Sequence, residues 1–366
     1  MSKTSIDPTS IVSAALKAYG NATGTPGLAA AVIYNGQDYF IPWGHANAKL
    51  KTLITKSTVF EIGSITKVFT ATILAYNVAN IGTFSLSDPV TKYLPYTFDP
   101  NAAINNVTLG QLATHTSGMP DQAGGSEPSE NLFQGNPPSS DLIAYWQSFA
   151  PAANITLPCW TYSNIGFVTL GFAIGGCSPN NYNSLLSSYI LDQLSMTQTG
   201  SNNPPGLRVA QGYVGPLPPG KNHLAPSEAW DLKSTPGDMT LFLQANMEPT
   251  HDTIGNALNY SHNPIFSGSN CESKAPLKFE MGLAWQISQM TSKGGQNYML
   301  AAKDGATSKG GFTSWIGFIP ENMGIVLLSN KLVKHKAPPH SPPPPPIPKL
   351  TDVGRGILQS LLDANP

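Results

Sequence analysis

Three short groups of residues, far apart in the chain, have the types and spacings that serine-based acyl transfer needs. The first is Ser64-Ile65-Thr66-Lys67. A serine hydroxyl is a weak nucleophile until a neighbour takes its proton. On a helix, positions i and i+3 share a face, so Lys67 lies beside Ser64. A lysine withdrawn from water loses its charge more readily and can be that neighbour. A serine at a helix start also has unpaired backbone N–H groups and the positive end of the helix dipole close by, which suits a developing oxyanion. Phe60, Ile62, Ile65, Val68, Phe69 and Ile73 make the surroundings apolar. An ordinary capped helix with an exposed lysine has the same short pattern, so the group is informative only in company.

The second group is Tyr162-Ser163-Asn164, just before a helical run. A tyrosine beside a cationic lysine gives up its proton more easily and can carry it to a leaving group. The asparagine amide can hydrogen-bond Lys67 and a substrate carbonyl together. The third is Lys303-Asp304-Gly305, ending a predicted strand. A cation at a strand edge can orient an anionic substrate group, and a glycine there lets a substrate backbone come close. Taken singly, these are also a turn with a helix cap and a polar hairpin end.

The elements that must position these groups follow from periodicity and turn signals. Residues 8–20 read as a helix, and Leu28 to Tyr34 as a strand turning at Asn35-Gly36 into a partner at Tyr39 to Trp43. Ser64 to Asn80 is apolar and helix-like. Helical stretches are predicted at Ser140–Phe149, Asn164–Ile174, Asn183–Leu194 and Pro236–Asn246. Strands are predicted at Leu283–Ile287, Tyr298–Lys303, Thr313–Ile319 and Gly324–Ser329, with a closing helix over Asp352–Leu362. The fold class is therefore α/β (α+β): an antiparallel sheet formed from both chain ends and flanked by helices, around a mainly helical middle. The expected division is a discontinuous sheet domain, 1–80 with 276–366, and a helical domain, 81–275, with the site in the cleft between them. A proline-rich insertion at 337–348, including Pro342 to Pro346, favours polyproline II or disorder.

Composition narrows the function classes. The chain has 366 residues, 20 Lys plus Arg against 21 Asp plus Glu, and a net charge of −1. With no basic block, nucleic acid is not an expected partner. No apolar run is long enough to span a membrane. The 34 glycines and 33 prolines indicate a loop-heavy chain, and the apolar content is enough for a core. The start, Met1-Ser2-Lys3-Thr4, shows no signal peptide. The three cysteines, Cys159, Cys177 and Cys271, form no metal-binding pattern and read mainly as thiols, with one disulfide possible. The histidines are scattered, so neither a metal site nor a cofactor is expected.

The order S-x-x-K, Y-x-N, K-x-G resembles the signature of β-lactamases and penicillin-binding proteins. The chain as a whole resembles class C β-lactamases, within a wider family that includes D-alanyl-D-alanine carboxypeptidases and β-lactamase-like esterases. The likeness also runs through Pro26 to Tyr34, Leu86 to Pro95, Leu112 to Pro120, Ala210 to Tyr213, Lys233-Ser234-Thr235 and Gly311 to Lys331. It implies that Ser64 is the acylated nucleophile, Lys67 and Tyr162 the proton-transfer pair, and Asn164 and Gln122 the groups holding the substrate's side-chain amide. It further implies Tyr213 as an aromatic wall, Lys303 beside the substrate carboxylate with Asp304 and Gly305 at that edge, and Ser64 and Ala306 N–H groups as the oxyanion hole. The implied substrate is a small molecule, a β-lactam or alternatively an ester or amide. A monomer in the periplasm or secreted is the implied setting. A protein that acylates without turnover is the reading from a different functional class.

Three departures from the resemblance bear on specificity. The usual Lys-Thr-Gly is here Lys303-Asp304-Gly305, which puts a carboxylate where a hydroxyl helps bind the β-lactam carboxylate. Lys309-Gly310-Gly311 is an alternative for the role, but Lys303 keeps Ala306-Thr307 and the later Gly-Gly-Phe in family order. The stretch from Trp285 to Lys303 is shorter than the resemblance implies, which predicts a wider cleft. The proline-rich insertion follows Asn330-Lys331, where the family runs into its last helix.

Overall fold

The structure is a computed structural model, and it describes residues 6–121, 138–177, 179–215, 232–333 and 347–364. Helix α1 (Pro8–Thr23) starts at Asp7, whose carboxylate accepts the Thr9 N–H, and ends at Gly24 in the left-handed region. Strands β1 (Gly27–Tyr34) and β2 (Gln37–Asn47) form a hairpin. Its turn residues, Asn35 and Gly36, have φ of 50° and 70°, as a tight hairpin twisted like its strands requires. Short strands β3 (Thr52–Leu53) and β4 (Phe60–Glu61) lead to α2 (Thr66–Tyr76).

The middle of the chain supplies α3 (Leu109–Ala113), α4 (Ser140–Ser148), α5 (Asn164–Ile174), α6 (Pro179–Leu186), β5 (Tyr213–Val214), β6 (Lys233–Ser234), α7 (Pro236–Met247) and α8 (Thr253–His262). The end supplies β7 (Glu280–Met281), β8 (Gln286–Thr291), β9 (Asn297–Thr307), β10 (Phe312–Ile319), β11 (Met323–Ser329), β12 (Lys331–Leu332) and α9 (Leu350–Ala364). Helix α8 was not anticipated, nor was the short α3. The strand expected at Leu283–Ile287 begins only at Gln286, because Ala284 turns the chain with φ 65° and gives its N–H to Ala113 O. The helix expected at Asn183–Leu194 starts earlier, at Pro179, and its last turn, Ser187–Leu191, widens into a π turn. Of the proline-rich insertion, all but Ile347 and Pro348 lies outside the described residues.

Eight strands pair antiparallel in the order β3-β2-β1-β11-β10-β9-β8-β7. The β1–β11 pair, inside the sheet, thus joins the two ends of the chain, with Leu28 opposite Ser329 and Tyr34 opposite Met323. Successive residues point to opposite faces, and both faces are covered. Leu28, Ala30, Val32, Leu327, Ile325 and Trp315 pack on one face against Val12 and Leu16 of α1 and Ile357, Leu358 and Leu361 of α9. Ala29, Ala31, Ile33, Val326, Ile316 and Phe318 face the other way, towards α2, α5, α7 and α8. This accounts for the all-buried pattern of β1 and β11, which carry none of the polar alternation of a half-exposed strand.

One gap in the pairing positions the site. Pairing of β8 with β9 stops at Gln286 opposite Ala302. From Lys303 onward that edge of β9 is taken instead by the 3₁₀ turn Gly63–Ile65, which precedes α2. The approach is close enough to require two glycines. A β-carbon on Gly63 would lie 2.6 Å from Ala306 N, and one on Gly305 2.3 Å from Ile62 O. Ser314 on β10 fastens the turn by donating to Ile62 O at 2.7 Å.

Candidate active site

Ser64 stands in that turn with its side chain partly accessible. Helix α2 behind it is buried all round, from Thr66 to Ala75, as expected for a helix apolar on every side. Lys67 therefore emerges into a dry environment and is fully buried. Its ammonium donates to Ser64 Oγ at 3.1 Å and to Asn164 Oδ1 at 2.7 Å. It also lies 5.2 Å from the centre of the Tyr162 ring and 5.8 Å from that of Phe167.

Tyr162 reaches Ser64 from the other side, with its hydroxyl 2.7 Å from Ser64 Oγ. Its segment is clamped along its length. Cys159 is bonded to Cys271, so these two are not thiols as mainly expected, and Cys177 remains one. Trp160 N–H donates to Ser269 O, and Cys271 N–H to Trp160 O. Thr161 N–H donates to His115 O at 2.9 Å, and Ser163 N–H to His115 Nδ1 at 3.1 Å. Ser163 Oγ donates to Pro120 O and accepts Gly166 N–H, which caps α5. Asn164 is the first residue of that helix, and its amide is held at both ends. Oδ1 faces Lys67, while Nδ2 donates to Asp121 Oδ1 at 2.7 Å.

Lys303 comes from the unpaired edge of β9. Its side chain is buried and its ammonium lies 5.2 Å from the centre of the Tyr162 ring. It donates to the carbonyl of Asp304 at 3.0 Å and approaches the Asp304 carboxylate at 3.5 Å. The Asp304 side chain is 61% exposed. Strand alternation sends Lys303 and Asp304 to opposite faces; the open strand edge lets the carboxylate fold back to the lysine. Lys309, the alternative cation, is exposed in the turn between β9 and β10.

Two lysines around one phenol set the proton energetics. Burial pulls the Lys67 ammonium below its ordinary range; Tyr162 opposes this and Lys303 adds to it. Burial alone would raise the Tyr162 phenol, but Lys67, then Lys303, and the hydrogen bond with Ser64 outweigh it, so Tyr162 is lowered. For Lys303, burial works against the charge, and the neighbouring Tyr162 and Asp304 reverse it, leaving the ammonium above its ordinary range. The Lys303 charge in turn holds Asp304 below the usual carboxylate range. The arrangement is one permanent cation beside a Lys67–Tyr162 pair that shares protons on either side of a serine hydroxyl.

Ser64, Lys67, Tyr162, Asn164 and Lys303 are thus brought together, with Asp304 at their edge and the Gly305 and Ala306 backbone against the Ser64 turn. Gln122 lies outside the described residues. Tyr213 does not join the group through any of its hydrogen bonds. It is nearly buried, its hydroxyl accepts Ala48 N–H at 3.1 Å, and its backbone binds Gly311 O. Two neighbours were missed by sequence reasoning. His115 packs its ring 4.6 Å from that of Tyr162 and 4.8 Å from that of Phe167. Burial, followed by the charges of Lys303 and Lys67, keeps it neutral well below its ordinary range. The other is Asp121, whose only signal was an acid beside the expected amide-binding Gln122. Among the described residues no group of His, Cys, Asp and Glu could hold a metal ion.

Comparison with known proteins places the chain in a family. The family model "Beta-lactamase" matches residues 12–342. A β-lactamase of Escherichia coli (strain K12) is 31% identical over 339 residues, covering 84% of each chain. A β-lactamase of Psychrobacter immobilis is 27% identical over 84% of this chain and 79% of its own. The crystal structure of a class C β-lactamase superposes with a TM-score of 0.78 at 25% identity, over 98% of this chain and 99% of that one. A second class C β-lactamase gives a TM-score of 0.77 at 24% identity, over 97% and 96%. With the fold, the matched span and the relatives all in agreement, this chain belongs to the beta-lactamase family.

Proposed function

We infer that this protein is a serine β-lactamase of class C type, opening the β-lactam ring through an acyl-enzyme. The observation that carries the reading is Ser64 Oγ lying 2.7 Å from Tyr162 OH and 3.1 Å from Lys67 Nζ at once. Whichever partner is unprotonated takes the serine proton as Oγ attacks the lactam carbonyl carbon. The oxyanion forms against the Ser64 and Ala306 N–H groups. The C–N bond then breaks, and the ring nitrogen receives a proton from Tyr162. A water, deprotonated by the same pair, hydrolyses the ester and restores Ser64. Asn164 holds the acyl-side amide of the substrate, and Lys303 sits at its carboxylate end.

A second reading, an esterase or D-amino-acid amidase on the same scaffold, is favoured by one observation. The cation that would receive a substrate carboxylate already has the Asp304 carboxylate at 3.5 Å. Nitrocefin and a series of p-nitrophenyl esters separate the two. Nitrocefin hydrolysis is expected; rapid ester turnover with no β-lactam turnover would overturn the first reading. The Cys159–Cys271 disulfide supports an oxidising setting, periplasmic or secreted. Among the described residues, no helix is long and apolar enough to cross a membrane.

A further inference from the structure

The cleft carries a carboxylate for which the reaction above has no use. Asp121 follows Pro120 in the loop that leaves α3, and it is exposed. One of its oxygens accepts the Asn164 amide at 2.7 Å, and the other end of that amide accepts Lys67. Asp121 therefore stands one hydrogen bond from the group that holds the acyl-side amide of a substrate, on the side away from Lys67. Among the described residues no lysine or arginine lies within ion-pair distance of it.

The chemistry of a bound substrate says which cation could lie beside Asp121. Asn164 Nδ2, the group that would bind an acyl-side amide carbonyl, also donates to Asp121 Oδ1 at 2.7 Å, so the carbon next to that carbonyl is the substrate carbon within reach of Asp121. An ammonium on this carbon meets the carboxylate directly. Asp304 stands beside Lys303, at the end where a substrate carboxylate would lie, so Asp121 and Asp304 serve different parts of a substrate.

We propose that Asp121 is a specificity determinant that favours substrates bearing a free α-ammonium on the acyl side chain over the same substrates without it. The proposal rests on the serine-hydrolase reading and names the acyl group that site prefers. Asp121 acts here by charge and not only by fixing Asn164. A purely positioning role would affect all acylamino substrates alike.

Ampicillin and benzylpenicillin form a matched pair, differing only in that ammonium. Their kcat/KM values are measured for the full chain and for Asp121→Asn, which keeps an acceptor for the Asn164 amide. The ratio of ampicillin to benzylpenicillin is expected to fall about 5-fold in the variant, the size of one partly screened ion pair. In the unsubstituted protein the ratio shrinks as salt rises from about 0.05 to about 0.5 M; in the variant it does not. A ratio that is unchanged, or insensitive to salt in both proteins, overturns the proposal even if both rates drop. Failure of the β-lactamase reading shows separately, as no hydrolysis of benzylpenicillin. The same ratio is then read from the p-nitrophenyl esters of D-phenylglycylglycine and phenylacetylglycine, which carry the same two acylamino groups. No difference between variant and parent there, or no hydrolysis of either ester, overturns the proposal as well.

Discussion

The floor and the rim of the site are built on different terms. The floor, made of Lys67, the base of Tyr162 and the His115 and Phe167 rings, is buried and pinned from several directions. Its charges act at full strength because little water screens them. The rim, with Asp304 and Asp121, is exposed, and its two carboxylates lie on stretches of chain that leave a strand edge and a loop open. The floor has what any serine acyl transfer needs. The rim includes Asp304, a departure from the resemblance, and its carboxylates stand where the variable parts of a substrate would lie. Rate therefore belongs to the floor and selectivity to the rim.

Three substitutions break or sharpen this contrast. The largest effect is expected at Ser64. Ser64→Ala should cost at least about 10³-fold in kcat, with unchanged folding by circular dichroism, because it removes the hydroxyl that is bonded to both Lys67 and Tyr162. Turnover near the parent level would remove the nucleophile from the floor altogether. Tyr162→Phe comes next, at about 10²- to 10⁴-fold in kcat, the usual worth of a positioned acid–base group. It should also reshape the pH profile. At low pH both members of the pair carry protons and no base faces Ser64, so kcat/KM falls as pH falls. Both groups titrate below their ordinary values, which extends activity to lower pH. With the phenol gone, Lys67 loses the partner that opposes its lowering, and the acid limb should move. A limb that stays in place would assign it to another group.

The smallest effect is expected at the rim. Two carboxylates about 4 Å apart at an effective dielectric near 20 repel by roughly 4 kcal/mol. Asp304 is 61% exposed, and solvent screening lowers this to about 10-fold in affinity. Asp304→Thr should raise kcat/KM for carboxylate-bearing β-lactams about 10-fold, through KM, while leaving neutral esters nearly as they were. A change in kcat alone, for both substrate types, would place Asp304 in the floor.

The floor was largely legible in the sequence because each of its parts is a local pattern. S-x-x-K fixes Ser64 and Lys67 through helical spacing, and Ser163 both follows Tyr162 and caps the helix that aims Asn164. The β1–β2 hairpin was legible for the same reason, from Asn35-Gly36. What stayed hidden depends on a partner far along the chain. Asp121 gains its role only from the Asn164 amide, and Cys159 finds Cys271 across 112 residues. Periodicity also failed where tertiary contacts outweigh it. Ala284 is pulled out of a strand pattern by Ala113 O, and α8 rests on apolar residues spread too thinly over Thr253–His262 to stand out.

The pairing of β1 with β11 bears on how this enzyme comes into being. These two strands are separated by roughly three hundred residues, so the contact that joins the two chain ends in one sheet is among the last that a growing chain can make. Non-local pairing of this kind is slow, because loop closure must be met before the contacts form. The serine turn emerges early, and the strand edge that faces it emerges late. A chain still being made holds the nucleophile without Lys303 or the Ala306 amide, so hydrolytic competence arrives in one step, with completion of the sheet.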